Sequence, residues 1–293
     1  MVNRPRVPAE PRRSSRRASI KLARHFGVLI AVFAIAIVGL GFAFLLRRAL
    51  QASQAMSCAN NVTQIALAIE SYHATYGHLP RAALLDDEGT RIHSWRTAIT
   101  PDLAAIDQLY RWDQPWNGPF NVRLAKGLDV HVDAPPTDES GHPMFKTVGP
   151  YDGPIDYARP FRCTQPETRS DYHANYFAIV GDRTAWPVDR PLTLDDIGDG
   201  LENTILVAES HTLRVLWSQP DDLNFDQMSF AINDPHKAGI SSLHGFGPLV
   251  AFTDGAVFHL NPKTPEHVVR ALLTANGGEK INRNQLLRDG WLR

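Results

Sequence analysis

Apolar residues first run without interruption and then thin to a stripe. Phe26 to Leu46 is apolar or glycine at every position and carries no charge, which at the α-helical rise spans a hydrocarbon core of about 30 Å. Beyond it Ala55, Cys58, Val62, Ile65, Ile69, Tyr72 and Tyr76 recur at steps of three and four, while Asn60, Asn61, Gln64, Glu70 and Ser71 fall elsewhere. This pattern predicts one helix from Ala18 to Tyr76, membrane-spanning in its first half and amphipathic in its second. Gly77 ends it, with Pro80 just beyond. Such a helix owes most of its stability to whatever covers its apolar face, so the remaining chain is expected to supply a sheet or helices for that purpose.

Downstream, Ser94 is a good N-cap for a helix over 95–110, with Trp95, Ile99, Leu103, Ile106 and Tyr110 on one side and Pro101 at a break or a fresh first turn. An aromatic knot follows at Trp112, Trp116 and Phe120, spaced by Pro115, Gly118 and Pro119. Residues 127–169 turn to Pro, Gly, Asp and His, as irregular surface crossings do. Strands are expected at 175–180, 204–209 and 213–217, and a hairpin at 249–253 and 256–260 about Asp254-Gly255, the strongest short turn signal in the chain. Helical spacing returns at 265–276 and stops at Gly277-Gly278. Strands that are sequence neighbours joined by turns predict an antiparallel sheet.

Charge sets the topology. Eight basic residues precede the apolar run and only Arg47 and Arg48 follow it closely, which places the amino terminus in the cytoplasm and the rest of the chain outside the inner (cytoplasmic) membrane. A cleaved signal peptide is the competing reading, but the run exceeds a usual signal core and Leu46-Arg47-Arg48 offers no small-x-small cleavage site. The organisation is thus a basic, disordered tail over 1–25, a transmembrane helix over 26–46, and an extracytoplasmic domain over 47–293. Residues 1–50 hold ten Lys/Arg and one acid, net +9, leaving twenty and thirty, net −10, for the remainder. No nucleic-acid partner is expected for so acidic a domain. The cysteine count adds one constraint. Cys58 and Cys163 are the only two, and an oxidising exterior favours a bridge between them; two buried thiols are the alternative.

Several blocks, in order, carry a resemblance. Cys58, Asn60, Asn61, Gln64, Ile65, Leu67, Ala68, Tyr72, His73, Gly77 and Pro80 come first, then His93 to Arg96 (H-S-W-R), Pro115 to Pro119, and Asp199, Gly200, Asn203, Thr204, Ile205 and Glu209. His244, nine intervening residues, and Asp254-Gly255 complete the set. After residue 55 the chain resembles a bacterial family known as domain of unknown function 1559, with its C-terminal H-x9-D-G signature. The resemblance implies an α+β, pilin-like fold, in which a long N-terminal helix, half membrane and half globular, packs on an antiparallel sheet with additional short helices. It also implies structural signature roles for His244, Asp254, Gly255, Asn203 and Glu209. The chain departs from the family's prepilin processing site: Gly27 is followed by Val28, and no acid lies in the span. A permanent anchor is therefore expected.

The chemistry is sparse. Twelve histidines occur, without the H-x3-H, H-E-x-x-H or C-x-x-C spacing that puts metal ligands on one element. Glu209, His211, His236, His244 and His259 converge only if the fold brings them together. Asp195, Asp196, Asp199 and Glu202 lack the ladder of a calcium loop and suit turns. No nucleophile elbow or phosphate-cradling loop is present, so no catalytic residue, cofactor or metal is assigned. Three functions follow: a pilin-like structural or interaction protein of the cell envelope, with an envelope protein or a glycan as partner; an anchored solute- or glycan-binding domain, which needs an aromatic pocket at Trp95, Trp112 and Trp116; and a hydrolase using His244 and Asp254. The first is preferred. Asp254 and Gly255 are expected to make the hairpin turn, with His244 bracing the loop that enters it through an exposed carbonyl or Asp254.

Overall fold

The computed structural model describes residues 13–103, 109–128, 159–165 and 172–293. The first twelve residues, the 104–108 stretch of the expected second helix and most of the turn-rich 127–169 region lie outside them. The chain divides into two units, Met1–Ser53 and Gln54–Arg293. The first holds the leading part of helix α1 (Arg13–Tyr76). This helix starts soon after Pro11, the last proline before it, so 13–25 is helical where an irregular tail was expected. It includes one stretch long and apolar enough to cross a membrane, and Phe33, Ile35, Val38, Leu40, Phe42, Phe44 and Leu45 are all exposed there.

In the second unit α1 buries Ala55, Cys58, Val62, Ile65, Ala66, Ala68 and Ile69. All but Ala55 belong to one apolar cluster that also holds Tyr176, Phe177, Val207, Ala208, Val250 and Phe252. The predicted stripe stands, except that Tyr76 in the last turn is exposed. Gly77, at φ +76°, donates to the His73 carbonyl at 2.8 Å and ends the helix as its sequence requires. Asn61 reaches across to the Arg159 and Arg162 carbonyls at 3.1 and 3.0 Å, tying the helix to the 3-10 turn Arg159–Phe161.

A hairpin of β1 (Ala83–Leu85) and β2 (Arg91–Ser94) follows, closed by Asp86 and Gly89, and the sequence pattern did not announce it. Helix α2 (Trp95–Ala98) is capped by Ser94, and α3 (Thr100–Leu103) restarts around Pro101. Helix α4 (Pro119–Ala125) carries Pro119 in its first turn. The main sheet orders β3 (Tyr176–Phe177), β5 (Ile205–Glu209), β7 (Leu249–Phe252) and β8 (Val257–His259), each pair antiparallel. Every residue of β5 and β7 is buried, so neither alternates. Strand β4 (Ile179–Val180) leaves this sheet and pairs in parallel with β6 (Leu223–Asn224), a small addition to the antiparallel sheet that was expected. Residues 213–217 form no strand; Leu216 makes an isolated bridge to His173. Helices α5 (Glu266–Leu272) and α6 (Arg283–Arg288) complete the unit.

One buried ion pair sits beside the break between β3 and β4. The Asp222 carboxylate accepts from the Ala178 amide at 2.9 Å, from Trp95 Nε1 at 3.1 Å and from the Arg96 guanidinium at 2.5 Å. Ala178 turns its amide and carbonyl away from β5, and its carbonyl accepts from Leu223, the first residue of β6. Arg96, itself fully buried, also donates to the Tyr176, Gln219 and Asp221 carbonyls and lies over the rings of Trp95 and Phe177. Burial pushes the Asp222 carboxyl up to about 6, with Arg96 pulling it back, so it is ionised at neutral pH. Removing one partner strands the other charge in the core. Asp222→Asn in the full-length protein in detergent is therefore expected to lower unfolding stability by about 3 to 5 kcal/mol in denaturant titrations, and Arg96→Lys, which keeps the charge but loses the planar fork, is expected to destabilise as well.

Candidate functional site

Four separated segments bring their polar side chains to one dry place. Cys58 comes from the buried stripe of α1, Cys163 from the segment after the 3-10 turn, Glu209 and His211 from the end of β5, and His244 from the loop before β7. The Cys58 and Cys163 sulfurs are 3.3 Å apart, and Cys163 Sγ is 3.3 Å from His244 Nε2. His244 Nε2 is 3.9 Å from Glu209 Oε1, which lies 3.0 Å from His211 Nε2. Glu209 Oε2 accepts from the Leu249 amide at 3.0 Å, and Gln165 Nε2 stands 2.8 Å from His244 Nδ1. Asn175 braces the group by accepting from the Cys163 amide at 2.9 Å. Cys58, Cys163 and Glu209 are fully buried, and His244 is 5% exposed.

The structure shows no bond between the two cysteines; their sulfurs are in contact. A covalent S–S bond measures about 2.05 Å, well inside that separation. The expected proximity is nonetheless met, and the sulfurs differ in character. A hydrogen bond from Cys163, opposed by burial but helped by His244 and Thr164, holds Cys58 well below the ordinary thiol range. The same bond, with burial and the Glu209 charge, pushes Cys163 up. Burial pulls His244 down, yet Cys58 and the Glu209 charge together carry it above the usual imidazole value. An activated sulfur with no exposed surface cannot meet a substrate, which argues against nucleophilic catalysis here. Metal ligation is a different matter, because the ligand atoms of Cys58, Cys163 and His244 lie within 4.8 Å of one another, as do those of Cys163, Glu209 and His211.

The other sequence-predicted residues are distributed more widely. Asp254 and Gly255 turn the β7–β8 hairpin as expected: Phe252 donates to Ala256 at 2.9 Å, Gly255 to Phe252 at 2.9 Å, and Gly255 sits at φ +81°. Asp254 accepts from the Ala256 amide and from Arg283 Nη1 at 2.8 Å, whereas His244 bonds Cys163 and Gln165. The two are therefore committed to different partners, and His244 braces the cysteine segment instead of the turn. His236 is exposed, and His259 gives its Nδ1 to the Gly247 carbonyl at 2.8 Å. Asn203 donates to the Asp199 carbonyl and accepts from the Arg283 amide. Asp199 in turn accepts from the Gly277 and Gly278 amides, and Asp196 from the Thr193 amide, which commits both carboxylates to turns. Trp95 is fully buried against Trp186 and Asp222, Trp112 packs edge-on to His93 and Tyr110, and Trp116 is half-buried. A concavity of about 190 Å³ is lined by Asp182, Arg183, Arg190 and Asn276 and by none of these tryptophans.

Together these features define an α+β domain led by a membrane-length apolar helix, compatible with a pilin-like fold, with one cysteine–histidine–carboxylate cluster inside it. The chain belongs to the family described as "Protein of unknown function (DUF1559)", whose model matches residues 47–231. That span includes Cys58, Cys163, Glu209 and His211 and ends before His244, Asp254 and Gly255. No curated protein and no solved structure matches the chain.

Three glycines near the signature make its backbone demands testable. A Cβ at Gly255 meets open space, so Gly255→Val is expected to cost only the strain of positive φ, about 1 to 3 kcal/mol. At Gly247, φ is +97° and a Cβ would run into the Leu260 carbonyl, so Gly247→Val should cost more. Gly245 has neither constraint, and Gly245→Ala should stay within about 0.5 kcal/mol of the parent. Thermal unfolding of the three variants side by side checks this order.

Proposed function

We propose that the protein is a single-pass, membrane-anchored, pilin-like structural or interaction component of the cell envelope, with its amino terminus in the cytoplasm and residues 47–293 outside the inner membrane. The observation that carries this reading is the change of environment along α1. From Phe33 to Leu50 its large apolar residues lie exposed, as a lipid-facing surface does, and from Ala55 onward the same helix buries a stripe in the domain core. Such a helix is an anchor that is also a structural member. The eight basic residues before Phe26 support the orientation. The absence of an acid in the apolar run, and Val28 rather than Phe after Gly27 at its start, support a permanent anchor over processing and filament assembly. Binding partners are then envelope proteins or glycans, reached by an acidic outer surface.

The anchor is tested by N-terminal sequencing of the membrane fraction together with protease added to cells with a permeabilised outer envelope. The basic segment ahead of Phe26 should remain on the mature protein, and protease should remove the domain while sparing that segment. A mature terminus at Phe26 or Gly27, or a domain protected from external protease, overturns the proposal. Crosslinking in intact cells then identifies what the outer domain touches.

A further inference from the structure

We infer that Cys58, Cys163 and His244 form a binding site for a thiophilic divalent cation, Zn²⁺ in the first instance, with Glu209 as the anionic fourth group. The set has the right chemistry: two sulfurs, an imidazole nitrogen and a carboxylate oxygen are the donors that a four-coordinate zinc site takes. It also has nearly the right spacing. In a tetrahedral site with Zn–S about 2.3 Å and Zn–N or Zn–O about 2.0 Å, sulfur–sulfur and sulfur–nitrogen pairs stand roughly 3.5 to 3.8 Å apart and a nitrogen–oxygen pair about 3.3 Å. The observed separations are 3.3 Å for Cys58–Cys163, 3.3 Å for Cys163–His244 and 3.9 Å for His244–Glu209. Opening the first two by about half an ångström seats the ion among Cys58, Cys163 and His244, whereas Glu209, grouped with Cys163 and His211 and not with Cys58, has to move inward to become the fourth donor.

The surroundings of Cys58 give a second reason. Its Sγ accepts from the Thr164 amide at 3.1 Å and contacts the Thr164 hydroxyl at 3.3 Å, donors of the kind that flank a metal-bound sulfur. Binding releases the remaining thiol protons to solvent as the sulfurs become thiolates. The outer contacts are those of a built site. Glu209 is fixed by the Leu249 amide and His211, and Gln165 Nε2 lies 2.8 Å from His244 Nδ1, where turning the side-chain amide over would let its oxygen accept the Nδ1 proton and leave Nε2 as the ligand. A disulfide is the chemical rival. It would consume both sulfurs and leave the Thr164 contacts and the basic face of His244 directed at a neutral bond.

The test uses full-length protein extracted in detergent, with free thiols blocked in one aliquot at lysis and oxygen excluded from the other. Elemental analysis should find close to one zinc per chain. Replacement by Co²⁺ should give thiolate-to-cobalt charge-transfer bands and the intense visible bands of a tetrahedral site. Cys58→Ser and His244→Gln should each weaken Zn²⁺ at least about tenfold in competition with a chelator, while exposed His236→Gln leaves it unchanged. Peptide mapping of the blocked aliquot that shows a Cys58–Cys163 disulfide overturns the inference. So does reduced wild-type protein that develops no cobalt spectrum. Should the variants not fold, the wild-type spectrum alone decides.

Discussion

Taking a guanidinium fully out of water is the constraint on which the domain's wiring depends. Arg96 has to find an acceptor for each of its donors, and the chain supplies them from Ser94, from Tyr176 in β3, and from Gln219, Asp221 and Asp222 before β6. The first helices after the β1–β2 hairpin, the edge of the main sheet and the small parallel pair are therefore held by one side chain. A hydrophobic residue of the same volume would fill the space without fixing which carbonyls come to it. On the side of β3 turned away from β5, the Asp222 carboxylate holds the Ala178 amide and β6 takes the Ala178 carbonyl.

Where a single element decides its own structure, the sequence was sufficient. The α1 stripe from Ala55 to Ile69, the Gly77 stop and the Asp254-Gly255 turn needed only periodicity and backbone preference. Where two distant segments compete for the same backbone, it was not. The 175–180 run has the composition of one strand, and nothing local tells that it divides between two sheets. In 213–217, Trp217 buries its ring against Phe161, stacked at 5.6 Å, and the segment joins no ladder. Tyr76 keeps the period of the stripe but falls in the final turn, past the last covered position.

The cysteine–histidine–glutamate cluster shows the same division. Each member was visible, Cys58 on the core-facing stripe and Glu209 and His244 within the family blocks, and Glu209, His211 and His244 were candidates for convergence. Metal spacing rules presuppose ligands on one element, whereas these come from four, with His244 arriving from the far side of β5. That arrangement also separates two readings of the H-x9-D-G signature. Its glycine end lies in the β7–β8 turn and its histidine end lies beside Cys163 and Gln165, so the two ends meet different partners.

Sequence separation at that junction sets an order in time. Cys58 and Cys163 are 105 residues apart, and at roughly 5 to 20 residues per second of synthesis the first waits on the order of 5 to 20 seconds for the second and longer for His244. Arg96 likewise precedes Asp222 by 126 residues. A domain closed by such distant contacts folds late and cooperatively. Meanwhile the N-terminal helix is already made, and its stripe, Cys58 included, is the first apolar surface that a chaperone or a neighbouring chain can meet.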